Sequence, residues 1–267
     1  MKIKAFIKGI MWPILLGIGQ FLIFCIIAAL VMSIKQESLL KTKQWSNIEV
    51  TTKVNEYTKT KEFSKDIVKY STKNIHILII INSLIIIPLF TLKYKKINKK
   101  EQKIDKRKLM YLSVLSVLLA LGINLLITVN IKTISKQTLL LIVSTSIIGP
   151  ILEEVVFRGL LFKTLSKEFE NKTAIIITVL VFTLFHGNSQ NIIYILTMGF
   201  IFTYFYFKTN NILVPITMHI LSNLAVATLL PYLHTLDLIG KIGIMLIFVF
   251  ISIFICKRVV KNLEKKE

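Results

Sequence analysis

The sequence predicts an all-α protein, a polytopic transmembrane helical bundle of about eight spans. Three observations carry this prediction. The 267 residues are 54% hydrophobic with a positive mean hydropathy, outside the range of an ordinary soluble domain. The apolar residues are gathered into long runs: Gly9 to Ser33 holds no Asp, Glu, Lys or Arg, and about 20 such residues are what a ~30 Å hydrocarbon core requires of a helix. The runs are also too continuous for barrel strands, and lipid leaves only helices or closed barrels as spanning structures.

In chain order the apolar segments are Gly9 to Ile34, Ile75 to Leu92, Leu109 to Val129, Leu139 to Phe162, Thr173 to His186, Ile192 to Phe207, Ile212 to Leu230 and Leu238 to Cys256. The first follows Lys2, Lys4 and Lys8 in the manner of a signal peptide. Its apolar run exceeds the roughly 7 to 15 residues of a signal h-region, so it is expected to stay as a span. The polar stretch Lys35 to Asn74 carries charges of both signs and is expected to be a loop or a surface amphipathic helix. The fifth segment is short for a full crossing. His76 and His234 fall at segment ends and are expected at the membrane interface. The chain divides into a variable membrane region of three spans (1–135), a core of five helical segments (136–257) and a basic tail (258–267), without internal repeats or Gly/Pro-rich linkers.

The formal charge of +20 does not point to nucleic acid, because the basic residues sit between apolar runs without aromatic interleaving or a reading module. Membrane topology and contact with anionic lipid headgroups account for them. Lys93 to Lys108 holds nine Lys or Arg against Glu101 and Asp105, a net +7, and is expected in the cytoplasm. Alternation then places both termini there, in a multi-pass protein of the cell membrane, with Lys35 to Asn74 outside. Cys25 and Cys256 lie within apolar runs and suit buried small hydrophobes better than a disulfide.

Within this apolar chain a few polar residues demand a reason. Between Leu109 and Ser166 the only acidic residues are Glu153 and Glu154, and a mid-membrane charge costs roughly 2.5 to 3.5 kcal/mol even on a lenient scale. Arg158, four residues after Glu154, shares its helical face in the favourable acid-before-base order. Glu153 points about 100° away and has no such partner in its own helix, which leaves it for chemistry. Pro150 removes a helical donor nearby, a break that needs a polar neighbour or a wet pocket. His186 follows Phe182 at a spacing of four, and His219 precedes Asn223 at the same spacing. Counted from the nearest inner ends, Glu153, His186 and His219 lie roughly 15, 21 and 14 Å into the ~30 Å core, so they can meet near one level.

Glu153-Glu154-Val155-Val156-Phe157-Arg158 matches an EExxxR motif, Phe182 to His186 an FxxxH motif and His219 to Asn223 an HxxxN motif. In that order, with Gly199 and the Asn210 to Pro215 approach between them, they resemble the CPBP family, the CAAX-processing and bacteriocin-associated intramembrane proteases also called Abi proteins. The resemblance implies peptide-bond hydrolysis within the membrane, on peptide or membrane-protein substrates. It implies that Glu153 with His186 activates water, that His219 and Asn223 stabilise the oxyanion, and that Glu154, Arg158 and Phe182 support the site. A carboxylate in a low-dielectric pocket suits a general base, and donors aimed at an oxyanion are often the largest catalytic term. Zinc stays open, with Glu153, His186 and His219 as candidate ligands, although no cofactor is favoured; the chain has no HExxH or GxSG motif and no intramembrane Asp pair. A non-catalytic immunity or scaffold protein and a proton-coupled transporter are the alternatives. Neither the substrate nor the oligomeric state is legible.

Overall fold

A computed structural model describes residues 2–43, 46–98, 101–125, 139–187 and 191–264. Among them every regular element is helical. Helix α1 spans Lys2–Lys43, α2 Asn47–Thr58, α3 Lys61–Lys73, α4 Ile75–Ile97 and α5 Lys106–Leu125. A segmented helix α6 (139–165) precedes α7 (Asn171–Phe185), α8 (Ile192–Thr209), α9 (Leu213–Thr228), the short α10 (Leu230–Leu233) and α11 (Leu238–Glu264). Each predicted apolar segment lies on one of these helices. The end of the third, past Leu125, and the tail beyond Glu264 lie outside the described residues. By length and composition four described helices can cross a membrane, Lys2–Lys41, Lys106–Leu125, Ile192–Thr209 and Leu238–Val259, and Asn171–Phe185 and Leu213–Thr228 are shorter apolar helices. Lipid-type surface is plain on α1 and α11, which leave Phe21, Leu22, Phe250 and Phe254 exposed.

The polar stretch after the first span is helical. Helix α1 continues to Lys43, and α2 and α3 turn back on it. Ser46 and Glu49 form a reciprocal cap that starts α2. Helix α3 sets Phe63, Ile67 and Tyr70 against Ile23, Ile27 and Val31 of α1. The charges of this stretch therefore occupy the outward side of an amphipathic hairpin.

One core joins the first and later spans. Trp12 and Leu16 of α1 and Ile86, Phe90 and Tyr94 of α4 pack with Val156, Phe157, Leu160 and Leu161 of α6. The fit is close at Gly159, where an added Cβ would stand 2.8 Å from the Tyr94 ring. A second core unites α5, α8, α9 and α11 through Leu112, Phe202, Met218 and Ile255, and Ser116 donates to the Met218 carbonyl at 3.1 Å.

Several basic connections meet at one end of this bundle. Asn211 donates through Nδ2 to the Gln102 carbonyl at 2.7 Å, and Glu101 accepts the Ile212 amide at 3.1 Å. Lys163 bonds to Asn210, and Gly9 lies against Leu161 and Leu165. The start of α1 at Gly9, the described part of the loop after α4, the end of α6 and the α8–α9 turn thus lie at one end of the bundle.

Candidate active site

The site is assembled from α6, α7, α8 and α9, and each helix is locally adapted to it. Helix α6 alternates α and π geometry: Leu139–Val143, π-helical Ser144–Ile148, Gly149–Glu154, π-helical Val155–Phe162 and Lys163–Leu165. The first π turn, closed by the Gly149 amide on the Ser144 carbonyl, directly precedes Pro150 and takes up the break expected there. Helix α7 ends at His186 because Gly187 adopts φ +65°, a left-handed stop that favours glycine. Helix α9 starts on two acceptors, Glu101 for the Ile212 amide and Asn211 Oδ1 for the Leu213 amide at 2.9 Å. Pro215 sits in its first turn, where a missing donor costs nothing.

Glu154 and Arg158 form the centre. Both side chains are 0% exposed, with Arg158 Nη1 2.7 Å from Glu154 Oε1. The guanidinium also donates from Nε to Thr203 Oγ1 at 3.2 Å and from Nη2 to the Gly199 carbonyl at 3.1 Å. Its plane is packed against the Phe182 and Phe202 rings, at 4.4 and 5.6 Å from their centroids. Phe182 of the FxxxH pair is thus a wall of the arginine pocket. Its ring contacts His186 at 4.5 Å between centroids and Phe157 at 5.0 Å.

Glu154 has a second partner that sequence reasoning missed. Its Oε1 lies 2.8 Å from His219 Nδ1, so the carboxylate orients the imidazole as well as the arginine. Phe202 stacks on the same imidazole at 4.8 Å. His186 Nδ1 lies 2.8 Å from the Phe182 carbonyl, to which it donates. With both Nδ1 atoms engaged, both Nε2 atoms are turned to Glu153: His186 Nε2 is 3.7 Å and His219 Nε2 4.0 Å from Glu153 Oε2. That oxygen is buried and has no hydrogen-bond partner among the described residues. The side chains of Glu153 and His186 keep 26% and 27% exposure, so the group is reachable. Asn223, one turn beyond His219, is half-buried.

The structure therefore brings Glu153, Glu154, Arg158, Phe182, His186 and His219 together, with Asn223 on the His219 helix. Thr203 and Phe202 were not singled out from sequence, although Thr203 lies one turn after Gly199. The spacing of these donors differs from that of a zinc site. Ligands about 2.0 to 2.1 Å from a tetrahedral zinc stand roughly 3.3 to 3.4 Å apart, closer than the 3.7 and 4.0 Å here. Among the described residues no group of three His, Cys, Asp or Glu side chains is arranged to hold a metal ion.

Residues 135–225 match the type II CAAX prenyl endopeptidase Rce1-like family. The matched segment carries all three motifs and agrees with the CPBP resemblance. No curated protein and no solved structure matches the chain. The Rce1-like match supports a CAAX-type intramembrane protease kind of function, that is, a hydrolase acting on peptides or proteins in a membrane context.

Proposed function

We propose that this chain is an intramembrane endopeptidase in which Glu153 is the general base, acting on membrane-associated peptides or proteins. The observation that carries the reading is the convergence of His186 Nε2 and His219 Nε2 on the buried, unpartnered Glu153 Oε2. Hydrogen bonds of about 2.8 Å from one water to two such groups span roughly 4 Å when they meet near a right angle. Glu153 and His186 thus share one nucleophilic water, and Glu153 takes its proton as the oxygen attacks the peptide carbonyl. The proton then passes to the leaving amine.

The developing oxyanion falls to His219 and Asn223. His219, held at Nδ1 by Glu154, turns Nε2 toward Glu153 and the carbonyl under attack. Asn223 adds an amide donor from the next turn. Preorganised donors of this kind act strongly because water is excluded. Glu154, Arg158 and Phe182 position His219 and fix α6 against α8.

On this reading the protein sits in the cell membrane with both termini and the basic face cytoplasmic. Purified protein in lipid nanodiscs, incubated with a panel of membrane-associated peptides, tests the activity by mass spectrometry of products. Cleavage is expected. No cleavage of any peptide, with full biological activity in a Glu153→Ala variant, would favour a scaffold or immunity role; substrate-driven proton flux in proteoliposomes would favour transport.

A further inference from the structure

A cavity of about 370 Å³ lies outside the candidate active site, where the α2–α3 hairpin folds back on α1. Three lysines line it, Lys35 of α1 and Lys69 and Lys73 of α3. Val31 and Ile34 give it an apolar wall, and Asp66 supplies a carboxylate. Asp66 accepts the hydroxyl of Tyr57, a buried ring over which the Lys35 ammonium stands 5.1 Å from the centroid. Lys69 and Lys73 have no ion pair among the described residues. They stand four apart on one helix, where like charges repel. One carboxylate does not balance three ammonium groups, so the cavity favours an anion from outside the chain.

Position decides which anion. Lys35 is the first charged residue after the apolar run of α1, and Lys73 is the last before α4, in which Ile75 to Leu92 holds no Asp, Glu, Lys or Arg. The two helices pack together, so that a Cβ on Gly19 would meet Ile86 at 3.2 Å. The cavity therefore sits where both apolar runs end, at the level of lipid headgroups, whichever leaflet that is. Its apolar wall also leads outward. Ile34 is 56% exposed and Leu30, one turn earlier on the same face, 48%. A free phosphate has no use for that apolar continuation. A phospholipid fills both parts, its phosphate among the lysines and an acyl chain along Ile34 and Leu30.

We propose that this cavity binds one anionic phospholipid, held by Lys35, Lys69 and Lys73, and that the lipid fastens the hairpin to the membrane surface. The site goes beyond the diffuse attraction of a basic surface, because three particular lysines select the lipid. It does not depend on the peptidase reading.

The full chain in detergent, given equal amounts of phosphatidylglycerol and phosphatidylcholine, is read by native mass spectrometry for the lipid it retains. Phosphatidylglycerol should be preferred. A Lys near an anionic surface is worth roughly fivefold, so Lys35→Gln, Lys69→Gln and Lys73→Gln together should lower the preference on the order of 10- to 100-fold, while arginine at all three positions should keep it. Lys59→Gln, Lys61→Gln and Lys65→Gln together remove the same charge from the hairpin outside the cavity, and should also keep it. In a Cys25→Ser, Cys256→Ser background, Ser38→Cys on the cavity wall should react with a neutral maleimide several-fold more slowly in phosphatidylglycerol nanodiscs than in phosphatidylcholine ones, whereas Ser64→Cys should not. That protection leaves the three lysines in place and so tests the site even if the glutamine triple fails to fold. No preference in the parent, equal losses in the two glutamine triples, no protection of Ser38→Cys, or displacement of the lipid by inorganic phosphate would overturn the proposal.

Discussion

Replacing Glu154 by Gln should damage the protein in two ways at once, because one carboxylate oxygen holds both Arg158 and His219. Arg158 keeps two of its bonds in the variant, to Thr203 Oγ1 and the Gly199 carbonyl. It loses the one carboxylate that, among the described residues, is paired with its 0% exposed guanidinium. Breaking one side of a buried pair costs roughly 3 to 5 kcal/mol, since the surviving charge stays desolvated. Replacing Arg158 by Met in the same chain removes that orphaned charge and should restore much of the stability. It should not restore turnover, because the Gln amide offers His219 Nδ1 a neutral, weaker acceptor in place of the carboxylate that orients it. The assay pairs thermal unfolding in detergent with cleavage rate per folded molecule. A Glu154→Gln variant as stable as the parent would refute the pairing argument, and full turnover in the double variant would refute the role given to His219.

Other consequences can be checked independently. Gly159→Ala forces a methyl to 2.8 Å from Tyr94 Cδ2, and Tyr94 is tied to Glu101, so overpacking should cost about 1 to 3 kcal/mol. Gly243→Ala, with nothing within 4 Å of the added Cβ, should be neutral or slightly stabilising, as helix propensity alone would have it; thermal melts of the two side by side decide this. Extensive treatment with a strong chelator should leave cleavage intact, with well under one zinc per chain by elemental analysis. Zinc that is stoichiometric, and whose removal and return switch activity off and on, would reverse that expectation. In the cysteine-free background, Thr58→Cys should be labelled on intact cells by an impermeant thiol reagent and Lys95→Cys only after permeabilisation; the opposite pattern would invert the orientation.

Much of this was legible in the sequence because membrane burial leaves few innocent explanations for a charge. The spans followed from uncharged runs, and Glu154 with Arg158 followed from helical spacing, which the 2.7 Å ion pair matches. Spacing within a helix says nothing about partners on other helices. The bond from Glu154 to His219 crosses 65 residues, and Thr203 and Gly199 reach Arg158 across more than 40, so these contacts became visible only when the helices were packed. The stretch from Lys35 to Asn74 was ambiguous because its apolar residues are too few for a span. Their periodicity acquires meaning only once Ile27 and Val31 of α1 are available to cover Phe63 and Ile67.

The central claim, that Glu153 is the base, is tested most directly by Glu153→Gln in nanodiscs. The change keeps size and polarity, and the side chain is partly exposed and unpaired in its own helix. The variant should insert and melt like the parent while cleavage per folded molecule falls by at least the ~10²- to 10⁴-fold typical of general acid–base catalysis. Cleavage at the parental rate by a folded Glu153→Gln protein would contradict the account.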